Sequence, residues 1–258
     1  MYYLMKGFFS WMPKWIGEKY SVLWINFKED IFTYNEAKEF LGDYTSNYLS
    51  EMKNCGVLWV FQKKGKKRIY RLVPPRIYIF SYAYNLNLKW LLQNSYSNLI
   101  LKIIHVLKNN LRENLLSVGI FGSLARGEAK SDSDLDLFII VREFKGSVLE
   151  RTKYLLELKR KEIVEEELKF LRSYSINPRF NFILKTKDEL KLNFFTIDIS
   201  FDMKILYDNA ILNNYIGKIQ GMVKKRGIKR KYMKNGKFYL DLNIEFGEVF
   251  EFESVGFS

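Results

Sequence analysis

Two helical patterns occupy the first third of the chain. Thr33 precedes an apolar-periodic stretch that predicts a helix over residues 34–41, and Gly42 ends it. After a short turn, apolar residues at helical spacing predict a second helix over residues 45–55. This part of the chain therefore begins as helix, turn and helix.

A basic hairpin follows the two helices. Residues 57–61 and 68–72 have the composition of strands, and a turn containing Gly65 joins them. The proline pair at 74–75 ends the segment because proline donates no backbone hydrogen bond. Helix, turn, helix and hairpin together resemble a winged helix-turn-helix, which we assign to residues 1–75. The resemblance implies a nucleic-acid-binding wing, and its basic side chains are Lys63, Lys64, Lys66, Lys67 and Arg68.

The remaining pattern mixes helices with short apolar strands. Residues 76–97 form a connecting segment, which we include in a second domain over residues 76–258. The predicted helices are 98–114, 148–174 and 215–226, and the predicted strands are 115–121, 135–141, 180–184, 194–201, 238–244 and 249–252. The pattern predicts an α+β fold.

The candidate chemistry lies between residues 122 and 137, directly after a predicted strand. A P-loop interpretation fails, because Glu128 stands at the lysine position and Ala129 at the serine position. Gly122 and Ser123 instead form a turn where the backbone can approach a phosphate closely and a hydroxyl can donate to it.

Two aspartates follow that turn on the next strand. Asp134 and Asp136 are one residue apart, so the strand period of two places both carboxylates on one face. Adjacent carboxylates repel each other unless a cation lies between them, and oxygen ligands of this kind suit Mg²⁺ or Mn²⁺. The alternative is a pair of surface acids at the start of a strand.

The two submotifs, Gly-Ser-x-Ala-Arg-Gly and Ser-Asp-x-Asp-Leu, resemble the nucleotidyltransferase superfamily of DNA polymerase β, in its minimal form. The resemblance implies a small mixed sheet flanked by helices. It also implies transfer of an NMP from an NTP to a hydroxyl, with two divalent ions. By position, the resemblance implies that Gly122 and Ser123 bind the triphosphate and that Asp134 and Asp136 are catalytic metal ligands. Arg126 is a further nucleotide-binding candidate, and a solvated salt bridge is its alternative role.

The same resemblance implies a third carboxylate from a later strand. Alternation over residues 194–201 predicts a strand that places Asp198 at the centre of its polar face, so Asp198 is our third catalytic metal ligand. Asp202, two residues further along that face, is the second choice.

Composition narrows the class of protein. The chain has 258 residues and a formal net charge of +13, which favours phosphate-bearing partners. It has one cysteine, Cys55, and one histidine, His105, which exclude a disulfide framework and any site that needs two histidines. No signal peptide or membrane span is predicted, so we expect a cytoplasmic protein. A second basic run between Asp208 and Asp241 is either a solvated face or a phosphate-binding surface.

These features give one leading hypothesis and one alternative. The leading hypothesis is a Mg²⁺-dependent nucleotidyltransferase that uses NTP, such as ATP. Its hydroxyl acceptor belongs to a protein, a nucleic acid or a small molecule, and a toxin–antitoxin or defence setting is one option by analogy. Residues 68–74, 205–208, 238–242 and 247–249 resemble, more loosely, archaeal proteins that join a winged helix to such a domain. The alternative is a DNA-binding regulator that uses the transferase fold only structurally.

Overall fold

The computed structural model describes residues 11–234, 237–245, 247–250 and 252. It divides into two compact units: unit 1 comprises the residues up to 110 together with 159–176, and unit 2 comprises 111–158 and the residues from 177 onward. The domain boundary predicted after residue 75 thus differs from the boundaries of these two units. The assignment of residues 1–75 as a winged helix-turn-helix stays a prediction.

Helices and strands are interspersed along the chain. The helices are α1 Lys14–Phe27, α2 Tyr34–Leu41, α3 Thr45–Asn54, α4 Pro75–Ala83, α5 Ser97–Leu111, α6 Gly122–Arg126, α7 Val148–Lys159, α8 Glu162–Ser173, α9 Phe194–Ser200 and α10 Ile211–Arg226. The strands are β1 Ile31–Thr33, β2 Leu58–Lys64, β3 Lys67–Leu72, β4 Leu115–Phe121, β5 Asp134–Val141, β6 Arg179–Thr186, β7 Lys204–Asp208, β8 Lys229–Tyr232 and β9 Phe238–Asp241. Among the residues described, no helix has both the length and the apolarity needed to cross a membrane.

Unit 1 is built around α1, α2, α3 and a three-stranded antiparallel sheet in the order β1-β3-β2. A capping box starts α2: Glu36 N–H donates to the Thr33 hydroxyl, and the Glu36 carboxylate accepts from Thr33 N–H at 2.7 Å. The predicted pair of helices and the predicted hairpin are therefore present as elements, with boundaries within a few residues of those expected.

A buried charge cluster fixes α8 within unit 1. The fully buried Glu167 carboxylate accepts bonds from both Arg71 amino groups, one of them at 3.0 Å, and from Lys102 Nζ at 2.7 Å. Burial acts to raise the pKa of Glu167, but the two cations outweigh it and lower the pKa below its ordinary value. Glu29 also contacts both cations. Removing one partner of such a buried pair costs about 3–5 kcal/mol, because it leaves an uncompensated charge in the interior.

The single long helix predicted over residues 148–174 is wrong. The structure has two helices there, α7 and α8, which belong to different units. Lys161 has an extended backbone (φ −62°, ψ 136°) and precedes a new helix start at Glu162. The charged periodicity continues across this break, which is why the pattern did not show it.

Unit 2 contains a four-stranded mixed sheet in the order β6-β5-β4-β7. β5 and β6 are parallel, whereas β4 pairs antiparallel with both β5 and β7. α9 and α10 contribute apolar side chains to the core of this unit, where Phe138 and Ile140 of the sheet meet Ile197 and Tyr215. The expected small mixed sheet is confirmed.

The strand predicted over residues 194–201 is wrong, because this segment forms the helix α9. Asn193 caps it: Thr196 N–H donates to Asn193 Oδ1 at 2.9 Å, and Asn193 N–H donates to the Thr196 hydroxyl at 3.0 Å. The buried positions include 196, 197 and 200, which is helical spacing. Asp198 therefore projects from a helix and not from a strand.

Unit 2 also carries a separate two-stranded hairpin. β8 and β9 pair antiparallel, with Arg230 opposite Leu240 and Tyr232 opposite Phe238. This hairpin brings two side chains that the sequence analysis did not single out, Arg230 and Phe238, to the cleft described next.

Candidate active site

The turn after β4 requires glycine. Gly122 has φ +75°, and a Cβ atom there would lie 2.3 Å from Asp136 Oδ2. Phe121, the last residue of β4, pairs with Asp136 on β5, so the turn lies directly beside that carboxylate. The absence of a side chain at Gly122 lets the backbone approach the aspartate closely.

Every predicted catalytic and nucleotide-binding residue lines one cleft in unit 2. Asp134 and Asp136 are partly exposed, whereas their neighbours Leu135 and Leu137 are fully buried, so the two carboxylates share a face as expected. The lining residues are Phe121, Gly122, Ser123, Arg126, Asp134, Asp136, Phe195, Asp198, Ile199, Asp202 and Phe238. The predicted wing residues Lys63 to Arg68 belong to unit 1.

Asp136 lies in an environment that resists ionisation. Burial raises the pKa of its carboxyl, the Asn181 amide that donates to Oδ1 at 2.8 Å lowers it, and the neighbouring Asp134 charge raises it again. The net effect is a pKa above the ordinary value. A cation placed between Asp134 and Asp136 would relieve this cost.

The residues present fit one divalent cation. Mg²⁺ usually binds through one or two carboxylates together with substrate phosphates, and the close pair Asp134 and Asp136 supplies such a set. Within the described ranges, no group of three histidine, cysteine or acidic side chains comes together to hold a metal. The fit is therefore to a two-carboxylate site completed by substrate.

The predicted third ligand lies in a different arrangement. Asp198 Oδ1 accepts from Arg230 Nη2 at 2.9 Å, so Asp198 is engaged in an ion pair. On β6, the later strand beside β5, the residue opposite Asp136 is Asn181, an amide. Asp198 thus lines the cleft from a helix and not from the predicted strand, and its role as a third metal ligand beside Asp134 and Asp136 stays a prediction.

Two arginines and two aspartates form an ion-pair network at the side of the cleft. Asp202 accepts from Arg126 Nη1 and from Arg230 Nη1, each at 2.7 Å. Arg126 Nε also donates to Glu128 at 2.7 Å, so the predicted salt-bridging role of Arg126 is present. Its predicted nucleotide-binding role stays a prediction. Arg230 belongs to the second basic run between Asp208 and Asp241, but that pattern did not indicate its two aspartate partners, which are 28 and 32 residues away.

Comparison with known proteins gives one family and one relative. The family described as nucleotidyltransferase domain matches residues 101–206, which include the turn at Gly122, both aspartates of β5 and helix α9. A protein of Methanocaldococcus jannaschii, MJ1305, whose name describes a protein adenylyltransferase, is 30% identical over 133 residues. The match covers 50% of this chain and 84% of that protein.

Two solved structures are also similar. A toxin–antitoxin complex with AMP-PNP is 18% identical, covers 49% of this chain and 90% of that one, and has a TM-score of 0.29. Spectinomycin adenyltransferase AAD(9) from Enterococcus faecialis, with ATP and spectinomycin, is 15% identical, covers 50% and 66%, and has a TM-score of 0.34.

The family match and the relative agree with the geometry of the cleft. The matched segment contains the strand, turn and strand that place Gly122, Ser123, Asp134 and Asp136 together. The chain belongs to the nucleotidyltransferase domain family.

Proposed function

We propose that this chain transfers an NMP from an NTP to a hydroxyl group, with Mg²⁺ or Mn²⁺ held by Asp134 and Asp136. The observation that carries the proposal is the closeness of the turn at Gly122 to Asp136, where a single added carbon would lie 2.3 Å from the carboxylate. A phosphate held by this turn would lie next to a cation held by the two aspartates.

In the proposed reaction, some residues of the cleft bind the triphosphate and others hold the divalent ion. The acceptor hydroxyl gives up its proton to solvent as its oxygen bonds to the α-phosphorus of the NTP, and the bond between that phosphorus and pyrophosphate breaks. A divalent ion would neutralise phosphate charge and polarise the reacting oxygens. The turn at Gly122 and Ser123 would hold the triphosphate, and Arg126 would add a cationic donor to it. Asp198 Oδ1 already accepts from Arg230, so the ion held by Asp134 and Asp136 is the better supported of the two.

We propose ATP as the nucleotide and a protein hydroxyl as the first acceptor to test, because the relative from M. jannaschii is named for protein adenylylation. The test uses each of the four NTPs labelled at the α-phosphate, with Mg²⁺ and a protein, an RNA or a small alcohol as acceptor. Label should appear in an acceptor with at least one NTP. Binding of NTP without any labelled product would contradict transfer and favour the regulator hypothesis.

The hairpin of unit 1 supports nucleic-acid binding as a second function. Its five cations, Lys63, Lys64, Lys66, Lys67 and Arg68, are all exposed. In the described part of the chain none of them forms an ion pair, so their charge is available to phosphates. We propose that this wing binds nucleic acid independently of the cleft.

Replacing Lys63, Lys64, Lys66 and Lys67 with alanine should weaken duplex DNA binding at least about tenfold at low salt. Each lysine that neutralises a phosphate releases counterions, so the slope of log affinity against log salt should flatten by up to about 0.9 for each phosphate that is no longer neutralised. Fluorescence anisotropy over a salt series measures both quantities. ATP affinity should be unchanged.

A charge-matched control removes four exposed lysines of unit 2. The variant carries Lys145→Ala, Lys153→Ala, Lys187→Ala and Lys191→Ala. It lowers the net charge equally but spares the hairpin. Equal weakening by the two variants would show that DNA responds to net charge and would contradict a binding role for the wing.

Replacing Asn181 with alanine should move the acidic limb of the transfer rate to higher pH. Burial raises the pKa of Asp136, and the Asn181 amide lowers it by donating to the ionised carboxylate. Loss of that donor raises the pKa further, so a smaller fraction of Asp136 is ionised at a given acidic pH. The measurement is kcat/KM against pH, with Asn213→Ala as an exposed control. An unchanged acidic limb would contradict a need for ionised Asp136.

A further inference from the structure

We infer that Arg230 is a positioning residue that holds Arg126 in place for the NTP phosphates through the carboxylate of Asp202. The inference rests on the proposed function. Arg230 lies on β8, beyond the segment 101–206 that matches the nucleotidyltransferase family. The hairpin of β8 and β9 would therefore supply a positioning residue that the matched segment itself lacks.

One carboxylate joins the two guanidinium groups. Asp202 Oδ1 accepts from Arg230 Nη1 and Asp202 Oδ2 accepts from Arg126 Nη1, both at 2.7 Å. The side chains of Arg230 and Asp202 are only 5% and 9% exposed, whereas that of Arg126 is 19% exposed. Arg230 is therefore the buried end of the chain of contacts, and Arg126 is the end that faces the cleft.

Arg230 is itself held by a second carboxylate and by aromatic rings. Its Nη2 donates to the Asp198 backbone oxygen at 2.6 Å and to Asp198 Oδ1 at 2.9 Å, which ties β8 to helix α9. Its guanidinium lies 4.2 Å from the centroid of the Phe238 ring, and the guanidinium of Arg126 lies 5.4 Å from the same ring. Phe238 thus contributes cation–π contact to both arginines.

The bonds of Arg126 leave one amino group for a ligand. In the described part of the chain its Nε and Nη1 are engaged by Glu128 and Asp202. Nη2 is the amino group left for a phosphate oxygen, and its direction is set by the other two contacts because the guanidinium is planar. Movement of Asp202 would turn this donor away.

Arg230 also balances the charge that Asp202 presents to Arg126. The cleft contains four aspartates, Asp134, Asp136, Asp198 and Asp202. Without Arg230, Asp198 would lose its arginine and Asp202 would pair with Arg126 alone. The unpaired Asp198 would add negative charge to the cleft, and Asp202 would neutralise Arg126 more fully. Both changes would weaken the binding of a triphosphate.

The test compares Arg230→Lys with a change elsewhere in the same hairpin. Lysine keeps the charge but cannot bridge Asp202 and Asp198 in the fixed geometry of a guanidinium. The control is Lys231→Ala, which removes an exposed cation whose partner is Asp241. Calorimetry with a non-hydrolysable ATP analogue and Mg²⁺ gives affinity without an acceptor, and labelled transfer gives KM and kcat.

Arg230→Lys should weaken analogue binding about tenfold or more and raise the KM for NTP more than it lowers kcat. Lys231→Ala should leave both unchanged. In the Arg126→Ala background, Arg230→Lys should have little further effect on affinity, since the residue that it positions is gone. A merely structural role would instead lower the thermal midpoint and reduce affinity equally in both backgrounds.

The outcomes separate this inference from the proposed function. Wild-type affinity in Arg230→Lys, or fully additive effects of the two arginine changes, would overturn the positioning role while NTP binding by the wild type still supports the transferase. Failure of the wild type itself to bind the analogue would overturn the proposed function and, with it, the role assigned to Arg230.

Discussion

Asp134→Asn and Asp136→Asn should each lower nucleotidyl transfer at least about a thousandfold. A bound metal ion supplies several kcal/mol of transition-state stabilisation, and about 1.36 kcal/mol corresponds to a tenfold change in rate. Each variant removes one of the two carboxylates that can hold the ion. Label transfer from α-labelled NTP measures the loss.

Asp136→Asn should not destabilise the protein in the absence of divalent ions. Burial above all, and also the charge of Asp134, raise the pKa of Asp136 in the folded state. A carboxyl whose pKa is raised in the folded state destabilises the fold once it is ionised. The free energy of unfolding therefore falls as pH rises from the ordinary pKa of the carboxyl through its raised pKa, because the folded state must then give up a proton that it holds more tightly than the unfolded state does. At neutral pH, Asp136→Asn should therefore have a thermal midpoint at or above that of the wild type.

A nearby aspartate gives the matched control. Asp132 lies in the turn just before β5, is exposed and is not part of the cleft. Asp132→Asn should keep both transfer and thermal midpoint near wild-type values. Substantial transfer by Asp134→Asn or Asp136→Asn would show that the two carboxylates do not hold a required ion.

Gly122→Ala should lower transfer about a hundredfold and destabilise the fold by about 1–2 kcal/mol. The stability cost arises because a Cβ atom is unfavourable at φ +75°. The activity cost arises because the new carbon would lie 2.3 Å from Asp136 Oδ2 and would displace that carboxylate. A misplacement of about 1 Å in a catalytic group can cost about a hundredfold. Transfer assays and thermal unfolding measure the two effects.

Gly217→Ala is the control for this substitution. Gly217 lies within α10, and an added Cβ there has no atom within 4 Å. Alanine in a helix interior is favoured over glycine by roughly 0.5–1 kcal/mol, so this variant should be slightly more stable and fully active. Similar activity in the two glycine variants would refute the close approach proposed between the turn and Asp136.

Local patterns predicted the elements whose signals are contained within a few residues. The helix α2 follows from Thr33 and Gly42 at its ends. The turn at Gly122 with Asp134 and Asp136 was found from residue spacing together with the resemblance to the nucleotidyltransferase motifs. Such signals depend on backbone preferences and strand period, which act over short range.

The errors arose where a short pattern fits two structures. Alternating apolar residues over 194–201 are compatible with a strand, but the helix is selected by Asn193 and Thr196, which cap it reciprocally. That pair was visible in the sequence and outweighs alternation over so few residues. Arg230 could not be found in this way, because its contacts depend on how β8 packs against α9.

The position of Glu167 has a consequence for the order in which the chain can fold during synthesis. Glu167 follows Arg71 by 96 residues and Lys102 by 65, and the segment 111–158 of unit 2 lies between. The first 110 residues therefore leave the ribosome with two cations that still lack their buried carboxylate. Unit 1 can close only after α8 has emerged, so the strands β4 and β5 of the transferase sheet are already made when the N-terminal unit reaches its final packing.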